Sequence, residues 1–236
     1  MLLTVLPCPI HPIQYREAHS HASRFRSPAY WHCAPVYRDP ALRIAGHTWP
    51  GSLALLSYLA EQPALLHDKR ILELGAGTGV LGIGCHALLR DSGDGHAIVV
   101  TDLPSAVPLL NRNIELNGAS AHATARALDW ADVSGLNGLC PPFDVVLMAE
   151  VAYLPEVYPA LASVVRALCG PRTLVLHGYQ RRDSRRSDLF FEELAKVGVS
   201  CADVTSANVA AQFASSVRIL QHSVESSGCE ESHEQS

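Results

Sequence analysis

The segment at residues 71–79 constrains this chain most, because it has the form of a buried strand that turns directly into a helix. It reads ILELGAGTG, an apolar run with one acid followed by a G-x-G-x-G pattern. Glycine has no Cβ, so it can adopt positive φ angles and let a ligand lie against bare backbone amides at the positive end of the next helix. The segment therefore predicts a strand-to-helix turn that binds a nucleotide-like ligand.

The spacing of these glycines argues against two common nucleotide-binding classes. A dinucleotide fold requires G-x-G-x-x-G, whose third glycine would fall at Val80, and a phosphate-binding loop requires a Gly-Lys pair, which the chain lacks. Glu73 stands two residues before Gly75. Together with G-x-G-x-G it resembles the first motif of class I S-adenosylmethionine-dependent methyltransferases.

Length and charge favour one α/β domain without a broad nucleic-acid surface. The chain has 236 residues and 48% hydrophobic content, enough to bury one full core. Its net charge is −5, but residues 221–236 carry four acids and no Lys or Arg, so the rest of the chain is nearly neutral. A nucleic-acid surface would need a basic excess.

Cysteine usage and the N-terminal composition favour a cytoplasmic or nuclear protein. The seven cysteines are scattered and include no C-x-x-C pair, as expected of reduced thiols. No apolar run approaches the ~18 residues that a membrane span needs. Residues 1–30 hold three arginines and only Glu17 as an acid, but their prolines and histidines disfavour the amphipathic helix of a mitochondrial signal, which is the weaker alternative.

Apolar, β-rich segments alternate with helical patterns from residue 50 onward, which predicts a Rossmann-like, doubly wound and mostly parallel sheet. The predicted helices span residues 50–61, 79–90, 104–117, 155–168 and 186–197, and the predicted strands residues 70–74, 97–101, 123–128, 143–148, 172–177, 199–204 and 215–221. We assign residues 45–221 to this domain, residues 1–44 to an N-terminal extension that can be partly ordered and residues 222–236 to a disordered acidic tail.

Three predicted strands end in side chains that suit an adenosine ligand and its chemistry, at the edge where such sheets bind ligands. Asp102 can accept both ribose hydroxyls or cap the next helix. Trp130 can stack on adenine, with Asp129 accepting from the exocyclic amine, or it can be an ordinary core aromatic. Glu150 and Tyr153 place a carboxylate and a phenol where a transferable methyl group would lie, or Glu150 is a solvated or capping acid.

The pattern Glu150-x-x-Tyr153 resembles the [D/E]-x-x-Y motif after strand four of the family-16 seven-β-strand protein-lysine methyltransferases, the methyltransferase-like 21 group. Trp49 before an apolar helix resembles that family's upstream tryptophan. The family also shows counterparts of three further segments. These are residues 111–117, residues 128–130 and the Arg-rich residues 181–191.

This resemblance covers roughly residues 45–205. Residues 1–44 do not show the short N-terminal strands that often precede the tryptophan, and Pro50 stands where an acid is common. The resemblance implies a class I fold, S-adenosylmethionine as cofactor and a protein lysine as substrate, in a chaperone or translation-type factor. It implies cofactor contacts for seven residues and a catalytic role for two. The cofactor residues are Trp49, Gly75, Ala76, Gly77, Asp102, Trp130 and Ala149, and the catalytic residues are Glu150 and Tyr153.

Two other classes of function remain open. A methyltransferase for small molecules or nucleic acids would share the cofactor motifs, but nucleic-acid amine enzymes usually carry [D/N]-P-P-[Y/F/W] after strand four, which residues 150–153 lack. A non-catalytic interaction module would show degraded cofactor residues, and these are intact. We expect a monomer that acts on a protein, with no membrane or nucleic-acid partner.

Three other clusters have reactive residue types without the matching spacing. Residues 8–33 hold Cys8, His11, His19, His21, His32 and Cys33. They form no H-x-x-x-H or C-x-x-C pattern, so no metal site is predicted. Arg181, Arg182, Arg185 and Arg186 favour a solvated loop. Cys85 and His86 lie in a predicted apolar helix, where core packing is the better interpretation than a nucleophile and its base.

Overall fold

A single seven-stranded sheet organises the part of the chain described by the computed structural model, which is residues 36–90, 95–182 and 184–224. The strands are β1 (Arg70–Leu74), β2 (Ala97–Asp102), β3 (Ala123–Ala127), β4 (Val145–Ala149), β5 (Leu174–Gln180), β6 (Val199–Asp203) and β7 (Val217–Val224). Their order is β3-β2-β1-β4-β5-β7-β6. Strand β7 runs antiparallel to β5 and β6, and the other strands share one direction.

The helices connect these strands and cover both faces of the sheet. They are α1 (Pro50–Glu61), α2 (Val80–Leu89), α3 (Val107–Leu116), α4 (Tyr158–Leu168), α5 (Ser184–Lys196) and α6 (Ala207–Gln212), with short 3-10 turns at Pro40–Leu42, Pro63–Leu65, Val133–Gly138 and Pro155–Val157. This arrangement confirms the predicted doubly wound α/β fold. The prediction of a mostly parallel sheet did not name the antiparallel strand, it had no counterpart of α6, and it placed residues 155–157 in α4 rather than in a 3-10 turn.

Strands at the centre of the sheet are apolar on both faces because each face packs on helices. All five residues of β4 are buried. On one face a buried cluster joins β1, through Ile71, to apolar residues of α1, α2 and α3. On the other face Leu72 belongs to a cluster that includes α4 and α5. The alternation of neighbouring side chains between two buried layers is what the continuous apolar runs predicted.

Helix α1 approaches the sheet at a contact between two glycines. A Cβ added to Gly178 in β5 would lie 2.1 Å from the carbonyl oxygen of Gly51, and one added to Gly51 would lie 2.6 Å from the carbonyl oxygen of Gly178. A glycine within a strand often marks such a close backbone approach. The contact fixes the beginning of α1 beside the carboxyl end of β5.

The structured domain is longer at both ends than residues 45–221. At its start Val36 is only 2% exposed, and the backbone N–H of Tyr37 donates to Asn113 Oδ1 over 2.7 Å. At its end β7 continues to Val224. His222 of this strand is 1% exposed, because β7 lies between β5 and β6 and pairs with both. Residues 36–44 are thus an ordered part of the N-terminal extension, and residues 222–224, assigned to the disordered tail, belong to β7. Residues 225–236 lie outside the described part.

Cys85 and His86 are both buried in α2, as the core-packing interpretation predicted. His86 contacts another histidine, with its Nδ1 3.1 Å from His96 Nε2. This is not the pairing of a nucleophile with its base. Burial lowers the pKa of His86, and the nearby His96 and His122 lower it further. The His86 ring therefore packs as a neutral imidazole.

The described ranges contain no helix long and apolar enough to cross a membrane. Within the same ranges, no group of three or more His, Cys, Asp or Glu side chains is placed to hold a metal ion. The cysteines and histidines of residues 8–33 lie outside the described part.

Candidate active site

A cavity of about 300 Å³ opens at the carboxyl ends of β1, β2 and β4. All nine residues predicted for the site line it. They are Trp49, Gly75, Ala76, Gly77, Asp102, Trp130, Ala149, Glu150 and Tyr153. Parallel strands bring these residues together because their carboxyl ends meet at one edge of the sheet. The size of the cavity is at the lower end of the range usual for small-molecule sites.

The floor of the cavity is the glycine turn between β1 and α2. Gly75, Gly77 and Gly79 have φ angles of 67°, 57° and 76°, which side chains other than glycine rarely adopt. A Cβ on Gly75 would lie 3.0 Å from Trp130 Cζ2, and one on Gly77 would lie 3.0 Å from the carbonyl oxygen of Ala45. Glycine is thus required at these positions for two reasons, the positive φ angles and the lack of space for a Cβ.

Glu73 supports this turn from below. Its carboxyl group is 2% exposed and accepts a hydrogen bond from the N–H of Gly82, in the first turn of α2, over 2.8 Å. Burial raises the pKa of Glu73 to about 8, although the Gly82 N–H opposes the shift. The motif acid therefore fixes the glycine turn and does not face the cavity.

Asp102, at the end of β2, holds two loops together. Its Oδ2 accepts from the N–H of Gly77 over 2.7 Å and its Oδ1 from the N–H of Leu103 over 2.8 Å. Burial raises the pKa of Asp102, and these two N–H groups lower it. A carboxylate oxygen has two lone pairs, so each oxygen can accept a further bond from a ribose hydroxyl.

We expect Asp102→Ala to weaken binding of S-adenosylmethionine by at least tenfold. Hydrogen bonds to a charged group typically contribute ~1.5 to 3 kcal/mol, and the change also leaves the Gly77 N–H without its acceptor. Titration calorimetry with the folded variant measures the effect. Asp132→Ala is the matched control, because its carboxylate also accepts a backbone N–H, from Ser134 over 3.0 Å, but lies outside the cavity. Unchanged affinity in Asp102→Ala would exclude the ribose role.

One wall of the cavity is formed by residues 36–49, which we call the N-terminal strap. Its lining residues are Leu42, Arg43, Ile44, Ala45, His47 and Trp49. Trp49 is held in place because its Nε1–H donates to the carbonyl oxygen of Ile44 over 3.0 Å. Sequence reasoning found only Trp49 in this wall. The other residues form no motif, and only their position just before Trp49 in the chain suggested a role.

Asn113 of α3 links the strap to the glycine turn. Its Nδ2 donates to the carbonyl oxygens of Thr78 and Tyr37 over 2.8 and 3.2 Å, while its Oδ1 accepts from the N–H of Tyr37. The side chain is fully buried. A buried amide with three hydrogen bonds is a strong structural link, because losing it would leave several polar groups unpaired. The resemblance of residues 111–117 indicated the segment but not this role.

Glu150 lies immediately after β4 in a strained backbone conformation, with a φ of 56°. Its side chain is 7% exposed. Its Oε1 accepts from the N–H of Gly51, in the first turn of α1, over 3.0 Å, and its Oε2 lies 3.2 Å from Arg182 Nη2. Burial raises the pKa of Glu150, while the Arg182 charge and the Gly51 N–H lower it. The acid thus caps a helix, as the alternative interpretation held, but it does so while lining the cavity.

Tyr153 and Trp130 supply aromatic surface near Glu150. Burial raises the pKa of the Tyr153 phenol, and the negative charge of Asp102 raises it further, so the hydroxyl remains protonated. Trp130 is partly buried and packs against the apolar cluster of α4 and α5. It therefore has one side in the core and one side on the cavity, in keeping with both interpretations of this residue.

Arg182 lies in an exposed loop, as expected, but makes contacts with two cavity residues that the sequence did not indicate. The Arg-rich residues 181–186 were interpreted as a solvated loop, yet the Arg182 guanidinium pairs with Glu150 and lies 5.0 Å above the ring of Trp49. Arg181 does fit the expectation, since it is exposed and pairs only loosely with Asp188 at 3.5 Å. Charge spacing alone does not distinguish the two arginines.

The fold is that of a class I S-adenosylmethionine-dependent methyltransferase, with its strand order, a glycine turn after β1 and an acid at the end of β2. An O-methyltransferase from Bacillus cereus, solved in complex with SAH, has the same fold at a TM-score of 0.55 and 16% identity, over 78% of this chain and 86% of that chain. The glycine turn, Asp102 and Trp130 line one cavity.

The chain belongs to the lysine methyltransferase family, whose model matches residues 37–197. EEF1A lysine methyltransferase 3 of Xenopus tropicalis is 33% identical over 156 residues, which is 65% of each chain. Protein-lysine N-methyltransferase EFM6 of Saccharomyces cerevisiae is 35% identical over 196 residues, covering 70% of this chain and 78% of that protein. The chain is therefore an S-adenosylmethionine-dependent protein-lysine methyltransferase, as the motif after strand four predicted.

Proposed function

We propose that the chain methylates a lysine of a translation factor in the cytoplasm, with Glu150 holding the lysine and Tyr153 forming the wall beside it. The observation that carries the chemistry is the buried carboxylate of Glu150 in the same cavity as the glycine turn and Asp102. EEF1A is the first candidate substrate, because two relatives, from Xenopus tropicalis and Mus musculus, carry it in their names. A chaperone is the alternative substrate. The cytoplasmic location is supported by the scattered cysteines, a pattern expected of reduced thiols.

A lysine side chain has an ordinary pKa of about 10.4, so it arrives at neutral pH as an ammonium ion. The Glu150 carboxylate can bind that ion, since its two oxygens offer about four acceptor sites and have three partners, the N–H groups of Gly51 and Gln180 and the Arg182 guanidinium. Tyr153 and Trp49 line the same cavity and can enclose the alkyl chain and exclude water.

Exclusion of water favours the neutral amine, which is the form that can accept a methyl group. When bound, S-adenosylmethionine would supply that methyl group from a sulfonium and leave as its demethylated thioether, and the positive charge of the sulfonium favours release of the amine proton to water before the transfer. The side chains of this protein therefore have to bind and orient the nitrogen and keep the cavity dry. Glu150 acts here as a binding and orienting group and need not be a strong base.

We expect the purified chain to transfer label from S-adenosylmethionine to a lysine of EEF1A, because the cavity combines cofactor groups with a carboxylate for the ammonium. The test is incubation with recombinant EEF1A, and in parallel with a lysate, followed by mass spectrometry of the labelled residue. Replacing that lysine with arginine should remove the label. Label on RNA or a small metabolite would contradict the proposal, and label on a chaperone lysine alone would reject the translation factor.

A further inference from the structure

Arg182 makes three separate contacts at the edge of the cavity, although its side chain is 47% exposed. Its Nη2 lies 3.2 Å from Glu150 Oε2, and its guanidinium carbon lies 5.0 Å from the centre of the Trp49 ring. Its Nε and Nη2 donate to Gln180 Oε1 over 3.1 and 3.0 Å. A planar guanidinium suits this combination of a forked hydrogen bond, an ion pair and stacking on an indole.

We propose that Arg182 is a positioning residue for lysine methylation, whose guanidinium keeps the Glu150 carboxylate charged and oriented and holds Trp49 against the strap. The inference rests on the role proposed above for Glu150. Arg182 acts through Glu150 and Trp49 and does not itself line the cavity. Its half-exposed position allows it to stay in place while a substrate enters.

The surroundings of Glu150 show why it depends on this arginine. From α1 it receives the N–H of Gly51, and from β5 the N–H of Gln180. Tyr179 of β5 is also near, but burial raises the pKa of its phenol to about 12, so it carries no charge. Among the described residues, Arg182 is the cation that offsets the burial of Glu150. A carboxylate that is 7% exposed and has lost its cation takes up a proton more readily.

The charge of Glu150 at neutral pH should therefore change with Arg182. An opposite charge at this distance typically lowers a carboxyl pKa by ~1 to 3 units. Removing Arg182 should raise the Glu150 pKa, so that a larger fraction of the enzyme has a neutral acid as the pH falls. Lysine at the same position keeps the charge but loses the planar fork and the stacking, so it should restore part of the effect.

The test compares kcat/KM for the protein substrate in wild type and variants between about pH 6 and pH 10, spanning the ionisation of the groups concerned. We expect kcat/KM of Arg182→Ala, divided by that of wild type, to be lower by about tenfold or more at the acidic end and to recover as the pH rises. The acidic midpoint in the pH profile of Arg182→Ala should lie about one pH unit or more above that of wild type. Arg182→Lys should be intermediate. Taking the ratio removes the pH dependence that both enzymes share through the substrate lysine.

Arg181→Ala is the matched control, because it removes the neighbouring positive charge from a side chain that is 56% exposed and pairs with Asp188 instead. Its ratio to wild type should be flat across the pH range. A flat ratio for both Arg182→Ala and Arg182→Lys, or an equal effect of Arg181→Ala, would overturn the inference. If Arg182→Ala does not fold, Arg182→Gln, which removes the charge and keeps a long polar side chain, decides by the same criterion. Wild-type turnover by Glu150→Gln would instead overturn the role of Glu150 itself.

Discussion

Glu150→Gln is expected to lower turnover on the protein substrate by ~10²-fold or more while the affinity for S-adenosylmethionine stays within a few fold. The amide keeps the size of the side chain, and its oxygen can still accept from the N–H of Gly51. It loses the charge that binds an ammonium ion and pairs with Arg182. Single-turnover assays, together with calorimetry of cofactor binding, measure the two quantities separately.

Glu156→Gln serves as the control, since this acid is exposed, lies only six residues further along and is outside the cavity. It should turn over like wild type. Glu150→Ala is expected to be less stable than Glu150→Gln, because it also removes the acceptor at the beginning of α1. If Glu150→Gln had only a lower melting temperature, with full activity per folded molecule, Glu150 would be a capping acid and the catalytic role would be wrong.

Local sequence patterns predicted the parts of this site that follow from strand ends. The glycine turn at residues 75–79, Asp102 and Glu150 each stand directly after a buried strand, and parallel strands place such residues on one edge. The fold was equally accessible, because its strands are continuous apolar runs separated by helical patterns. The bounds of α1 and β1 were predicted to the residue.

Contacts between distant segments were not predictable in this way. The hydrogen bond from Gly51 to Glu150 joins residues 99 positions apart, and those from Asn113 to Tyr37 join residues 76 positions apart. Nothing in the local pattern distinguishes Arg182, which pairs with Glu150, from Arg181, which does not. The strap was missed for the same reason, because its wall residues have varied types and no periodicity. The close approach of α1 to β5 depends on Gly51 and Gly178, and the local pattern indicated neither, since the predicted strand ended at residue 177 and β5 continues to Gln180.

We expect Gly178→Ala to destabilise the protein by roughly 3 kcal/mol or more and to abolish methylation. The added Cβ would lie 2.1 Å from the carbonyl oxygen of Gly51 and 3.0 Å from the Cβ of Leu55. The nearest obstacle is backbone, so a side-chain rotation does not relieve it, and α1 has to move away from β5. That movement would carry the N–H of Gly51 away from Glu150 Oε1 and so disturb the site as well as the core.

Gly138→Ala is the control for this change, because a Cβ at Gly138 would meet nothing within 4 Å and the backbone there does not have a positive φ. It should change the free energy of unfolding by no more than ~0.5 kcal/mol. Denaturant unfolding measures both variants, and calorimetry of cofactor binding shows whether folded Gly178→Ala retains the glycine turn. A Gly178→Ala protein with the stability and turnover of wild type would mean that α1 does not rest on β5 through these glycines. The hydrogen bond from the N–H of Gly51 to Glu150 would then not depend on the close contact between Gly51 and Gly178.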